Sequence, residues 1–329
     1  MTLVENIKRG LFSDNSSIRT VSFHMLEEIP KLPDPLLKEL LEAACDFSEI
    51  TEDVLYVLLD RDIPGSCMDS LLKLIDLQND SILREQALQI LEYTEPATLV
   101  RHEKAISSYF SPEKIAFFHL LANGNEKELW DEFHLTLVAL NTGEGNLYKK
   151  TRMLAKVIAQ KGLIDDFTID SVMNDDLNEG IFTFEGIIMV YIIGVLKKSK
   201  YIPILSNLLY SEDDFLLDEV ELALKSFQTD EVVHVLIPYL TDPHSMIYAA
   251  SIVGSIQTPL ATKALQKAYL EVRDLEEKSI LFEVLCYGLR EDALPEINDF
   301  LAKGYTSQLI DTEEAAYGFF KLLELKREE

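Results

Sequence analysis

The chain has 329 residues, 47% of them apolar, and carries 57 acidic against 30 basic side chains for a formal net charge of −27. That apolar fraction supports a continuous core and excludes intrinsic disorder. The charge repels phosphate backbones and anionic lipid heads, which argues against nucleic acid and membrane surfaces as partners.

The charge is uneven: −11 over residues 1–100, −2 over 101–200 and −14 over 201–329, so both ends are acidic and the middle is not. The start, Met1 to Arg9, has an early Glu5 and no apolar core of signal-peptide length, and the expected location is cytoplasmic. Apolar residues then recur at three and four, as in Val21, Met25, Leu26 and Ile29, or Leu71, Leu72, Leu74 and Ile75, while strand-like alternation is absent. Capping side chains precede prolines at Asp34-Pro35, Ser111-Pro112 and Thr258-Pro259, each predicting a helix start. Glu95-Pro96 and Ile63-Pro64 are weaker boundaries of the same kind, and Pro238 should kink the run from Val232 to Leu240. Cutting at these signals gives about twenty helices joined by short turns, an all-α chain of about ten hairpins. Cys45, Cys67 and Cys286 are odd in number, far apart and set in apolar contexts, as expected of reduced, buried thiols.

The middle of the chain holds several near misses. His102-Glu103-Lys104-Ala105-Ile106 begins like a zinc-protease helix but has Ile where the second ligand must stand, and the six histidines show no metal spacing. Gly143-Glu144-Gly145 lacks the third glycine of a dinucleotide fingerprint, with Tyr148 in its place, and reads as a helix-joining loop. In the next helix Leu147, Thr151, Leu154 and Ile158 share one side of the wheel, and Lys149, Arg152 and Lys156 lie opposite with Tyr148 beside them. This is the main basic stripe in an acidic molecule, the expected dock for an acidic partner or for the acidic end of a second copy of the chain. Asn174 to Glu185 places oxygen side chains and a final Glu like a calcium-binding EF-hand loop, but Glu179 occupies the position that needs glycine, so an acidic turn before a buried helix is the plainer reading. Ile181 to Leu196 is too short for a membrane span and contains Glu185. No catalytic set and no cofactor motif emerges.

From Val190 to Leu301 one pattern comes round four times, and its marker residues Leu196, Phe227, Ile256 and Leu289 are 31, 29 and 33 residues apart. A repeat period overrides the length-based domain count, so the expectation is one elongated domain over residues 1–329, with sub-blocks 1–140 and 141–329. Asp14 to Val21, Asp80 to Leu88 and Asp242 to Ala250, with Gly254 to Pro259 after them, resemble the inter-helix turn and second helix of HEAT repeats. The short period is similar to the HEAT-like units of the bilin-lyase type. The resemblance implies a right-handed α-α superhelix, an alpha solenoid, whose second helices line the concave face. It also implies a ladder between neighbouring turns that Asp14, Arg19, Asp80 and Arg84 would supply, broken in the third copy where Tyr248 stands near the Arg position. The function expected of such a chain is a non-enzymatic scaffold for another protein, with a basic segment drawn to the acidic ends. The alternative carried by the resemblance is a bilin-lyase-like or chaperone-like factor.

Overall fold

The computed structural model describes residues 2–143 and 147–325. Among them the chain is all-helical, with 21 α-helices, and its only extended pairing is an isolated bridge between Ile63 and Thr94. The first two helices are α1 (Leu3–Leu11) and α2 (Ser16–Glu27). There follow α3 (Asp34–Asp46), α4 (Thr51–Leu58), α5 (Met68–Leu77), α6 (Ser81–Glu92), α7 (Pro96–Arg101), α8 (Glu103–Ile106), α9 (Pro112–Asn123), α10 (Glu126–Asn141), α11 (Tyr148–Gln160), α12 (Asp166–Glu179) and α13 (Phe184–Leu196). The remainder comprises α14 (Ile202–Asn207), α15 (Asp214–Phe227), α16 (Asp230–Leu236), α17 (Met246–Ser255), α18 (Pro259–Glu271), α19 (Leu275–Tyr287), α20 (Leu294–Ala302) and α21 (Thr312–Leu322).

Local chemistry sets most boundaries. Ser111 accepts from the Lys114 amide and Thr258 from the Ala261 amide, each at 3.3 Å, so both Pro-led helices start where a hydroxyl can satisfy an orphan donor. Asp34 differs. It is the first residue of α3 rather than its cap, because Pro33 takes the cap position in extended backbone. Ile63-Pro64 starts no α-helix; Ile63 bridges to Thr94 instead. At Pro238 the α-helix stops at Leu236 and tightens into a 3-10 turn over Ile237–Thr241, which removes the need for the missing amide hydrogen.

The chain forms two compact units: a split unit made of residues up to Pro30 with those from Ile193 on, and a central unit of Lys31–Ile192. The division expected at 140/141 is therefore not the one observed. That point falls in the last turn of α10, which packs against α11 inside the central unit.

In the split unit, alternate helices form two rows. One is α14, α16 and α18; the other is α15, α17, α19 and α21, each packed on the next. After α21 the second row continues with α2, and α1 also packs on α21, so the N-terminal hairpin completes a row built from the C-terminal part of the chain. Glycine makes two of these contacts close. A Cβ on Gly194 would stand 2.8 Å from the Ala223 Cα, and one on Gly318 would stand 2.6 Å from a Val21 methyl. The core is continuous along the row, with Ile7, Leu11, Val21, Phe23, Val220, Leu224, Val253, Phe282 and Phe319 all buried.

Side chains one period apart also bond to each other. In the split unit Tyr210 donates to Asp242, Tyr239 to Asn207 and Tyr269 to Asp299, at separations of 32, 32 and 30 residues. In the central unit Tyr93 donates to Asp60 and Tyr109 to Asp76, both 33 residues away. The sequence period thus appears as tyrosine-to-acid or tyrosine-to-amide bonds between neighbouring turns.

Candidate functional site

The row α2, α15, α17, α19 and α21 brings titratable side chains together from five helices. Glu28 follows the last residue of α2. Its Oε2 accepts from Lys225 Nζ of α15 at 3.0 Å and lies 3.2 Å from Ser251 Oγ of α17. Lys225 also holds Glu221 Oε1 at 2.9 Å, and Ser251 Oγ stands 2.7 Å from the same oxygen. One lysine and one serine therefore tie the end of the N-terminal hairpin to helices some two hundred residues away. Burial works against the Lys225 charge, but the two carboxylates outweigh it and its pKa lies above the ordinary lysine value.

Beyond this clasp the acidity continues. Burial, reinforced by the Glu28 charge, pushes the Glu283 carboxyl of α19 up to about 7, with Tyr287 and His24 pulling the other way and Glu314 adding to the rise. Burial and then Glu283 raise the Tyr287 phenol. On α15, burial and the neighbouring charges of Glu221 and Asp214 raise Asp218. Tyr248 of α17 is raised by burial and then by Asp218, Glu221 and Asp214 of the helix packed beside it. Among the described residues neither Asp214 nor Asp218 has an ion-pair partner. The surface is acidic and tyrosine-lined, suited to cations that bring their own charge and stack on aromatic faces.

The basic stripe of α11 lies in the central unit, and its surroundings differ from a solvated face. Lys149 Nζ sits 4.3 Å from the centre of the Tyr93 ring and 3.3 Å from Glu92. Arg152 lies over Tyr191 at 4.5 Å, and Lys156 is paired with Asp62. Tyr148 packs its ring near Phe184 at 6.2 Å. All four are half-buried, because seven residues of α11, from Thr151 to Ala159, are buried and little of the helix is left to face water. The charges lie opposite the apolar side of the wheel, yet neighbouring helices cover them. Glu144 and Gly145 of the preceding loop lie outside the described residues.

The other candidates resolve locally. Asn174 to Glu179 is the last part of α12, not a loop, and Gly180 ends it in left-handed backbone with φ 70°. Asp176 is buried and accepts from the Thr183 amide at 2.9 Å, while Thr183 Oγ1 caps the start of α13 by accepting from Gly186 N. The acidic run therefore sits at a helix C-terminus, the end its dipole disfavours, and Asp176 is held by the next helix start. His102 interrupts the would-be zinc helix between α7 and α8, and Glu103 pairs with His119 at 2.9 Å. Among the described residues no group of three or more His, Cys, Asp or Glu could hold a metal ion. Trp130 stacks on His134 with ring centres 5.4 Å apart.

Asp80 accepts from the Ile82 and Leu83 amides as the cap of α6, Arg84 lies over Tyr109, and Arg19 donates to the Ser13 carbonyl. Asp80 caps its own helix and Arg84 lies on an aromatic ring, while bonds one period apart are made by tyrosines, which the sequence pattern did not single out. All three cysteines are free, with Cys67 and Cys286 buried and Cys45 half-buried. No helix is long and apolar enough to cross a membrane among the described residues.

No protein-family profile matches the sequence, and no curated protein does. Among solved structures, the crystal structure of an engineered protein aligns over 98% of this chain and 97% of its own, at 16% identity and a TM-score of 0.23, a likeness too low to carry an argument about either fold or function.

Proposed function

We propose that the chain is a non-enzymatic protein-binding scaffold, built from HEAT-like hairpins that wind as a right-handed α-α superhelix, and that its partner is a basic segment of another protein. The observation that carries the reading is the acidic, tyrosine-lined row of the split unit, where Glu28 and Glu221 share the single ammonium of Lys225 while Asp214, Asp218 and Glu283 have no ion-pair partner among the described residues. A basic partner would supply the missing charge. The repeat part of the reading is supported by side-chain bonds 30 to 33 residues apart in both units, the spacing at which stacked hairpins meet. The α11 stripe is the second surface in view. Its cations already face Glu92, Asp62, Tyr93 and Tyr191, so an acidic partner would have to displace them, and the basic partner is the stronger reading.

Affinity capture from the source extract at low and at high salt, followed by reconstitution of the captured protein with the purified chain, tests this. The expected result is a stoichiometric complex with a protein carrying a Lys/Arg-rich segment, weakened by salt. A purified chain that reconstitutes with no protein, or that turns over a small molecule, overturns it.

A further inference from the structure

The acidic row carries more than charge. On α15, Asp214, Asp218 and Leu222 follow one another at intervals of four residues and so form one stripe. On the neighbouring α17, which packs on α15, Ile247 and Tyr248 stand in the first turn, one turn before Ser251, whose Oγ lies 2.7 Å from Glu221 Oε1 beside Asp218 and Leu222, so the two stripes lie side by side. Leu222 is 51% and Ile247 56% exposed, on the first two helices of the row. Single exposed aliphatic residues are ordinary on a protein surface; here two of them flank carboxylates that have no ion-pair partner among the described residues, while the nearest ammonium, Lys225, is held by Glu221 and Glu28.

We propose that Asp214, Asp218 and Leu222 of α15, with Ile247 and Tyr248 of α17, dock an amphipathic helix of a partner protein whose apolar stripe is flanked by Lys or Arg. The inference rests on the scaffold reading above and specifies the partner's chemistry and the surface it meets. The partner segment is helical because the described chain offers no strand edge. An extended peptide laid on this surface would find no backbone partners for its own N–H and C=O groups, whereas a helix satisfies them internally. Its Leu, Ile or Phe side chains cover Leu222 and Ile247, and its cations reach Asp214, Asp218 and the face of Tyr248.

The test uses the full chain and two fluorescein-labelled synthetic peptides of identical Leu and Lys composition. One has its leucines at helical spacing, and the other is scrambled so that no apolar stripe forms. Fluorescence anisotropy should show the amphipathic peptide binding roughly 10-fold or more tightly than its scrambled counterpart at moderate salt. L222S/I247S should abolish that preference and leave the weak, charge-driven binding of the scrambled peptide unchanged. D214N/D218N should weaken both peptides and flatten the salt dependence. Circular dichroism verifies that the variants keep the wild-type helix content. Equal binding of the two peptides to the wild type overturns the inference. A preference that survives L222S/I247S also overturns it, by placing the docking surface elsewhere. Either result leaves the scaffold reading standing if the captured partner still reconstitutes, so the two failures are distinguishable.

Discussion

At the residue scale, Glu283 ties the stability of the split unit to pH. Its carboxyl titrates near 7 in the folded chain because it is part-buried and faces Glu28 from α2 and Glu314 from α21, with His24 and its own neighbour Tyr287 opposing the shift. The neutral form therefore stabilises the fold fully below the ordinary carboxyl range, and this contribution is lost as pH rises through about 7. Replacing Glu283 by Gln should raise stability at pH 8 by about 2 kcal/mol, a figure reduced for solvent screening, and should flatten the fall in Tm between pH 5 and pH 8. An unchanged pH profile in the variant would show that another group controls it. The α11 stripe gives a second prediction. Changing Lys149, Arg152 and Lys156 together to Glu would be harmless on a solvated face. Here it would set new carboxylates against Glu92 and Asp62 and remove cations from Tyr93 and Tyr191, so chemical denaturation should show a loss of several kcal/mol. A triple variant as stable as wild type would contradict the packed environment of the helix.

At the element scale, close helix approach decides what the sequence tolerates. Alanine normally gains up to ~1 kcal/mol over glycine inside a helix. At Gly194 the new Cβ would press on the backbone of Ala223, which a side-chain rotation cannot relieve. Gly194→Ala should therefore destabilise by about 1–3 kcal/mol, read as a lower denaturation midpoint; a neutral or stabilising effect would mean the two helices can separate without cost. The N-terminal hairpin offers a larger test. Residues 1–30 contribute buried Ile7, Leu11, Val21, Phe23, Met25 and Leu26 to a row whose next member is α21, and Arg9 donates to the Leu322 carbonyl at 2.9 Å. Deleting them uncovers α21 and leaves Lys225 without Glu28. The truncated chain should aggregate or melt far below the full one, whereas an independent N-terminal arm could be removed with little change in Tm.

At the scale of the whole molecule, an all-helical chain of net charge −27 predicts a circular dichroism spectrum with strong helical minima and no sheet component. Association with the proposed basic partner should be faster at low ionic strength, because the acidic field steers encounter from a distance that added salt shortens. Association rates that do not change with salt would confine the charge to keeping the chain in solution.

What the sequence determined by itself was local: helix throughout, from the spacing of apolar residues; helix starts at Ser111 and Thr258, from hydroxyls placed where orphan amides need them; the change of helix at Pro238; and a period near thirty, from residues that recur within reach of their own turn. The tertiary structure decided everything that joins distant segments. The hairpin at the N-terminus completes a row begun after Ile193, and no periodicity records that residues 1–30 pack on residues 312–322. Glu28, Lys225, Ser251 and Glu283 each read as an ordinary surface residue along its own helix, and only packing brings them into one half-buried cluster. The α11 cations were legible as a stripe, but a helical wheel shows which residues share a side and not what lies against that side, so their pairing with Glu92, Asp62 and two tyrosines could be known only from the fold. The same holds for Asn174 to Glu179: oxygen side chains at loop spacing carry no signal of backbone conformation, and helix formation up to Gly180 removed the loop that calcium binding requires.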